Sequence, residues 1–513
     1  MNALWRKEIR QMLPGWLIAL GLPLAAMVLH VGVTIEVAVL FAVVGCALLG
    51  GSSFGPEFSH ATMGQLLSLP VERRRVWWMK MAVLGIALTP FLAAILLVPD
   101  GPSNNLMARL LFFIPLCAFC ATPWLTLRAQ NGLAAAVLSI AAPVLMCSVI
   151  AMAMSWAQGN VLGEGTAEDA FRFERKLVTI FFCVLISYCG ATAWLSYRLF
   201  TRFQVVDNAA RDVPWGDFLS VPLTEWSKRL PGGRGPIASL VRKELRLQQL
   251  VYLMAAVLVQ LVAVILLSLQ AIPAMYREVP LQLPVYLFAG IVPLFLGAVA
   301  VAEERNLGLH AWQLTLPVPA WKQWLIKVLM TVGASSLLGV LLPWACLAAA
   351  HRVDPGTFSD VWPKEVFPVM MTLLAQALVT LIALFASSFS SNTLKALLNA
   401  VGLLVGMGFL IGLLGNALEN STHFRSLASL PVFSTPHPWL DPMELGELIV
   451  MITFILTIVM LLFFSFVNFR KTVFDRRRLC LQVFALLVAP FIMVITMLIV
   501  VFAATILFQI IKA

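Results

Sequence analysis

The chain has 513 residues, of which 61% are hydrophobic and 12% charged, with a mean hydropathy of +0.93 and a formal net charge of +10. Soluble globular proteins carry about 25% charged residues, so this composition excludes an ordinary soluble domain. Uncharged runs of roughly 20 residues, enough to cross a ~30 Å hydrocarbon core, recur along the whole sequence. The alternating segments of about ten residues that spanning β-barrels use are absent from the sequence. We therefore expect an all-α polytopic membrane protein.

The first predicted element is an amphipathic helix at residues 3–13. Apolar residues recur there at helical spacing, and Arg6, Lys7 and Glu8 form part of a basic polar face. The same L-x-R-K-E-x-R pattern returns at 238–248, with Arg242, Lys243 and Glu244. One copy is equally compatible with a positive flank before a span, but the recurrence favours helices that lie on the membrane surface.

Each surface helix is followed by six predicted spans. The first set is 14–35, 37–55, 81–98, 106–127, 132–156 and 177–199. The second set is 250–272, 283–302, 325–350, 366–389, 393–416 and 447–469. The predicted halves are thus 1–201 and 237–470, joined by a polar cytoplasmic linker at 202–236.

The segment 471–513 holds one further apolar run, 479–511. At some 33 residues it is too long for one straight crossing. It is either a single span with an interfacial end or a hairpin around Pro490, and we prefer the single span.

The basic residues predict the orientation of the spans. With the N-terminus placed inside, 26 of the 35 Lys and Arg residues fall in the inner segments. This bias follows the positive-inside rule and predicts a multi-pass protein of the cytoplasmic (inner) membrane with a cytoplasmic N-terminus. The net positive charge is then an orientation signal, and nucleic acid is not an expected partner.

An inner loop is present twice. Residues 57–80 (EFSHATMGQLLSLPVERRRVWWMK) align without a gap with residues 304–327 (ERNLGLHAWQLTLPVPAWKQWLIK), 247 positions later. Each copy contains a short amphipathic segment, a Leu-Pro break that ends a helix, and a Trp-rich entry into the next span. The apolar face of each segment could lie on lipid headgroups or dock in a groove of a cytosolic partner. Six spans return the chain to its starting side, so the halves are predicted to repeat in parallel.

The R-K-E motif, the E-x(9)-L-x-L-P-V loop and the lysine ten residues after the proline resemble the permeases of type-two ATP-binding-cassette exporters. The resemblance covers the frame of both halves and implies two six-span halves fused in one chain. It implies that the loops are coupling helices on two copies of a separate cytosolic ATPase, which would hold the ATP and Mg. The implied coupling residues are Glu57, Leu67, Leu69, Pro70, Glu304, Leu314, Leu316 and Pro317. The second loop departs from the pattern, because Pro319-Ala320-Trp321 replaces Glu72-Arg73-Arg74.

The sequence contains no phosphate-binding G-x-x-x-x-G-K-[ST] loop, so we expect no cofactor and no ATP hydrolysis on this chain. Its six histidines lack metal-ligand spacing, and its eight cysteines, including the Cys117-x-x-Cys120 pair, lie in or beside apolar runs where core packing is expected. Within one span, Gly402, Gly406, Gly408 and Gly412 form two G-x-x-x-G motifs that favour close helix packing.

The sequence thus favours a permease that exports an apolar or amphipathic cargo, since the predicted span centres hold almost no fixed charge. Membrane lipids, and possible accessory subunits, are further expected partners. One alternative is a secondary transporter coupled to an ion gradient. The other is a membrane-embedded transferase acting through the outer residues His351, Asp354 and Asp360.

Overall fold

The computed structural model describes the chain in a series of segments. The described residues are 2–16, 45–59, 62–68, 70–96, 105–130, 132, 134–136, 138–139, 142, 167–202, 236–268, 278–354, 366–420, 442–471, 477–489 and 492. Every regular element among them is a helix, which confirms the all-α class for this part of the chain. Most of the predicted linker, the first predicted span and the end of the C-terminal run lie outside the described residues.

Among its described residues, the first part of the chain forms a series of helices. They are α1 (Asn2–Trp16), α2 (Gly55–Ser59), α3 (Met63–Leu67), α4 (Arg73–Leu96), α5 (Asn105–Ala129) and α6 (Ala167–Arg202). Residues 45–52 are also helical and lead into α2. Helix α5 contains Pro115 and Pro123. Membrane helices tolerate such prolines because neighbouring helices and local adjustments satisfy the freed backbone groups.

The second part forms a similar series of helices, and more of its residues are described. They are α7 (Pro236–Leu247), α8 (Gln249–Ser268), α9 (Glu278–Asn306), α10 (Leu309–Leu314), α11 (Ala320–Ser336), α12 (Leu342–Val353), α13 (Val366–Phe389), α14 (Thr393–Asn420) and α15 (Pro442–Phe469). A π-helical turn at Leu337–Leu341 joins α11 to α12. Residues 477–489 add a further helical segment.

Four of these helices contain segments that are long and apolar enough to cross a membrane. They are Arg73–Leu92, Ala320–Val353, Thr372–Phe389 and Met451–Phe469. A fifth is added if α7 and α8, which are bent by 56° where they meet, form one broken span. The protein is therefore a helical membrane protein. The described apolar segments overlap predicted spans, although the first begins at Arg73, eight residues before the predicted start at 81, and the full set of thirteen spans remains a prediction.

The largest hydrophobic core surrounds α9. Phe295, Leu296 and Ala298 are buried almost completely, and α9 packs against α11, α13 and α14. A helix that is apolar on every side fits only where neighbours cover it, which explains its central place. Ala47 and Leu48, from the first part of the chain, belong to the same core. The two parts of the chain therefore share a packed interior.

Two glycines, 247 positions apart in the sequence, permit close helix contacts. A Cβ added at Gly50 would lie 2.7 Å from the carbonyl oxygen of Ala118 on α5. One added at Gly297 would lie 2.5 Å from the carbonyl oxygen of Thr380 on α13. In both places the absence of a side chain lets one helix backbone touch the next.

Among the described residues, one glycine of the G-x-x-x-G motifs of α14 has a close neighbour. A Cβ on Gly406 would contact Leu487 at 3.3 Å, so the helical segment 477–489 packs there. Gly408 is exposed, and a Cβ added to it would have no described heavy atom of a neighbouring element within 4 Å. Close packing at Gly408 stays a prediction. Gly402 is half-buried, and the surroundings of Gly412 lie outside the described side chains.

Candidate functional site

The first repeated loop is joined to the rest of the protein by a buried charged cluster. The Lys80 Nζ lies 2.9 Å from Glu8 Oε2 and 3.0 Å from Glu57 Oε1, and it donates a 2.8 Å hydrogen bond to the Ser53 carbonyl. The three charged side chains are at most 1% exposed. Lys7 lies at the edge, with its Nζ 3.6 Å from Glu57 and its side chain 44% exposed. The cluster therefore ties α1, α2 and α4 together.

The second loop has the same cluster with the same bonding pattern. The Lys327 Nζ lies 2.6 Å from Glu244 Oε1 and 2.5 Å from Glu304 Oε1, and it donates a 3.0 Å hydrogen bond to the Ala300 carbonyl. Lys243 pairs with Glu304 here. Helices α7, α9 and α11 are therefore tied in the way that α1, α2 and α4 are.

These clusters are costly to build. Removing a charge from water costs several kcal/mol per ion, and a buried pair recovers this only with good geometry and further hydrogen bonds. Within the described part of the chain, Glu8 Oε1 and Glu57 Oε2 are buried oxygens without a hydrogen-bond partner. Burial raises the pKa of Glu8, and the neighbouring carboxylate of Glu57 acts in the same direction against the lowering effect of Lys80. The first cluster therefore holds its helices together only while all of its charged partners are present, because the loss of one partner leaves an unpaired buried charge.

A second set of contacts connects the first loop to α6 and the second loop to α15. The Trp77 indole N–H donates a 3.2 Å hydrogen bond to Ser196 Oγ on α6, and its ring contacts Tyr197 edge to face at 5.3 Å between centroids. The Trp324 indole N–H donates a 3.3 Å hydrogen bond to Ser465 Oγ on α15. The Trp324 ring contacts Phe466 edge to face, again at 5.3 Å. Movement of either loop must therefore reach α6 or α15 as well as the surface helix.

The short helix of the first loop packs its apolar side inward. Met63 and Leu66 are buried and join a hydrophobic cluster with Phe54 and Phe200, while Gln65 is exposed. The sequence left open whether this apolar face docks on a partner. The structure places it against the protein itself, so that interpretation is wrong for the first loop.

The short helix of the second loop has the opposite arrangement. His310 and Gln313 are buried, whereas Leu309 and Trp312 are 40% and 62% exposed. The His310 Nε2 lies 3.1 Å from the Phe469 carbonyl oxygen, and Lys243 donates a 2.8 Å hydrogen bond to Gln313 Oε1. These polar contacts hold the helix with its apolar residues facing outward.

The predicted coupling residues occupy different depths in the structure. Glu57 and Glu304 are buried, so they are cluster members and not surface contacts. The remaining described residues lie nearer the surface: Leu67, Leu314 and Leu316 are half-buried, and Pro70 and Pro317 are exposed. Leu69 lies outside the described residues.

The residues predicted for the membrane surface are also divided. Arg6 and Lys7 are exposed, and Arg242 and Lys243 are half-buried. Glu8 and Glu244 were expected on the same polar face and are instead 1% exposed, because each pairs with a buried lysine. That part of the prediction is wrong.

Sequence reasoning did not assign Lys80 and Lys327 to the centre of the site. A signal was present, because both lysines follow the loop glutamate by 23 residues and both halves carry the R-K-E motif. What the sequence could not supply was the contact between that motif and the loop, across 72 positions for Lys80 and Glu8.

Among the described residues, no group of three or more His, Cys, Asp or Glu side chains is arranged to hold a metal ion. A cleft lies between the two parts of the chain, lined by Gly55 and Gly132 on one side and by Asn306 and Asn392 on the other.

A scan against protein-family models, a search of curated proteins and a search of solved structures found no match to this chain.

Proposed function

We propose that this chain is the membrane permease of an ATP-driven exporter, built from two fused halves that repeat in parallel. In this proposal α3 and α10 are coupling helices that dock on a dimer of separate ATP-binding-cassette ATPase subunits. The observation that carries it is the pair of equivalent clusters, Glu8–Glu57–Lys80 and Glu244–Glu304–Lys327. Each joins a loop that faces the inner side to the helices that would have to move.

The transmission route follows from the contacts. A force on the first loop reaches α1 through Lys80 and Glu8, and it reaches α6 through Trp77 and Ser196. A force on the second loop reaches α7 through Lys327 and Glu244, and α15 through Trp324. Buried, bonded side chains transmit displacement because a close-packed interior deforms little.

Transport in this scheme is alternating access. ATP binds the closed ATPase dimer better than the open one, so each cycle shifts the permease between its inward and outward states. The cargo class best suited to apolar span faces is an apolar or amphipathic molecule such as a drug, peptide or lipid.

The experiment is an affinity purification from native membranes in mild detergent, followed by an ATPase assay. The variant is Arg74→Glu with Trp312→Asp, two exposed loop residues whose replacement leaves the clusters intact. The control is Lys395→Glu, an exposed residue in the first turn of α14, in an inner segment of the predicted topology. We expect about two ATPase subunits per permease with the native chain and the control, and their loss from the variant. A well-folded native chain that brings down no ATPase would overturn the proposal.

A second candidate function is a carrier driven by a proton gradient. The buried carboxylates of the two clusters, with oxygens that accept no hydrogen bond among the described residues, support it because such groups can take up and release protons. Transport that stops when the proton gradient is collapsed, and continues when ATP is depleted, would favour this candidate over the exporter.

A further inference from the structure

The two loops present different side chains at two matched, exposed positions. Position 65 is an exposed glutamine in the first loop, and its equivalent 247 residues later, Trp312, is 62% exposed. Arg74 is exposed, and its equivalent Trp321 is 52% exposed. Directly after Trp321 the second loop also carries an exposed cation, Lys322, as the first loop does at the matched position. The outward faces therefore share one basic position and differ at the other two.

The first loop presents a basic face. Arg73, Arg74 and Arg75 are consecutive and exposed at the start of α4, and Arg73 also donates a 3.3 Å hydrogen bond to the Thr201 carbonyl. Three guanidinium groups side by side repel one another, and they bind best where carboxylates accept their hydrogen bonds. A surface complementary to this loop carries Asp and Glu.

The second loop presents an apolar face. Leu307, Leu309 and Trp312 are all exposed, at 55%, 40% and 62%. The helix cannot turn them inward without breaking the contacts of His310 with the Phe469 carbonyl and of Gln313 with Lys243. A surface complementary to this loop is an apolar pocket that accepts a tryptophan, a residue type enriched at interface hot spots.

The exposed residues lie at the inner ends of the spans. Arg74 is the second residue of the candidate span Arg73–Leu92, and Trp321 is the second residue of Ala320–Val353. Trp312 lies on α10, before the second of these spans. In the predicted topology all three lie on the inner side, where the proposed ATPase subunits would contact them.

We infer that the two coupling loops bind two different ATPase subunits, one with an acid-rimmed groove for the first loop and one with an apolar pocket for the second. This rests on the proposed function. Two copies of a single ATPase would present the same groove twice. A groove with carboxylates for all three arginines would leave some of them without a cation in the second loop, where Ala320 and Trp321 replace two arginines and only Lys322 is basic, so one of the two contacts would be disfavoured.

The test uses the full chain purified with its partners from native membranes, with each ATPase polypeptide identified and quantified by mass spectrometry. Arg74→Glu and Trp312→Gln are made separately, with Lys395→Glu as the matched control. We expect two different ATPase chains in equal amounts. Arg74→Glu should reduce recovery of the first by about tenfold, and Trp312→Gln should reduce recovery of the second by about as much. Raising salt from about 0.1 M to about 1 M should release the first subunit selectively, because screening weakens exposed charge pairs.

Each other outcome has one meaning. A single ATPase chain at about two copies per permease, weakened equally by both variants, would overturn this inference and leave the exporter function standing. No ATPase with the native chain would overturn both. Unchanged ATPase recovery together with reduced binding of the two variants to anionic lipid vesicles would show that the loops face lipid. Thermal unfolding midpoints close to that of the native chain establish that both variants fold.

Discussion

Replacing Lys80 with methionine removes the ammonium that Glu8 and Glu57 share. Both carboxylates stay at most 1% exposed, and the nearest other cation, Lys7, lies 3.6 Å from Glu57 with its side chain 44% in solvent. Breaking a buried ion pair by removing one partner costs about 3–5 kcal/mol, because the other partner remains charged and out of water. We expect Lys80→Met to lower the free energy of unfolding by about that amount.

The triple variant Glu8→Gln, Glu57→Gln, Lys80→Met separates this cause from simple loss of packing. Neutral side chains of similar shape remove the uncompensated charge, and replacement of a whole buried cluster is often nearly neutral. We expect the triple variant to recover most of the stability that the single variant loses. The free energy of unfolding is measured by denaturant titration in detergent micelles, with tryptophan fluorescence as the signal that reports unfolding.

Two comparisons complete the design. Lys327→Met should be destabilising by a similar amount, since its ammonium holds Glu244 and Glu304 in the same way. Lys395→Met is the control, because Lys395 is exposed. A Lys80→Met chain as stable as the native one, or a triple variant as unstable as the single variant, would refute the buried-charge reasoning.

Three further predictions test other contacts. Gly297→Ala should lower the free energy of unfolding by about 1–3 kcal/mol, because the added Cβ would lie 2.5 Å from the Thr380 carbonyl oxygen. Gly408→Ala should cause no measurable loss of stability. Equal free energies of unfolding for the two variants would contradict the packing. Burial raises the pKa of Glu8 above its usual value near 4.5. The stability that Glu8 contributes to the folded state is therefore fully present below about pH 4.5 and is lost as pH rises through the folded-state pKa. The free energy of unfolding, measured from below pH 4.5 upward, should fall as pH rises, and Glu8→Gln should reduce that slope; an unchanged slope would count against the assignment. Trp77→Phe should lower the free energy of unfolding by about 0.5–1.5 kcal/mol through the lost hydrogen bond to α6. An unchanged free energy of unfolding would contradict this.

The amino-acid sequence was sufficient to predict the class of the protein. Long apolar runs require helices that satisfy their own backbone in lipid, and the described residues are helical where spans such as 325–350 and 447–469 were expected. The gapless match of 57–80 with 304–327 also identified the loops that carry the charged clusters. Periodicity, composition and spacing are local properties, so they can be read without coordinates.

Tertiary structure alone decided how those loops are connected. Helical periodicity placed Glu8 on a polar surface, but a lysine 72 positions away brings it inside, and no local pattern reports such a contact. For α10 the sequence predicted an amphipathic segment and left open what its apolar face contacts. His310 and Gln313 are the buried side, because the Phe469 carbonyl and Lys243 offer them partners. The direction in which an amphipathic helix turns depends on the groups it meets, and only the folded chain brings those groups together.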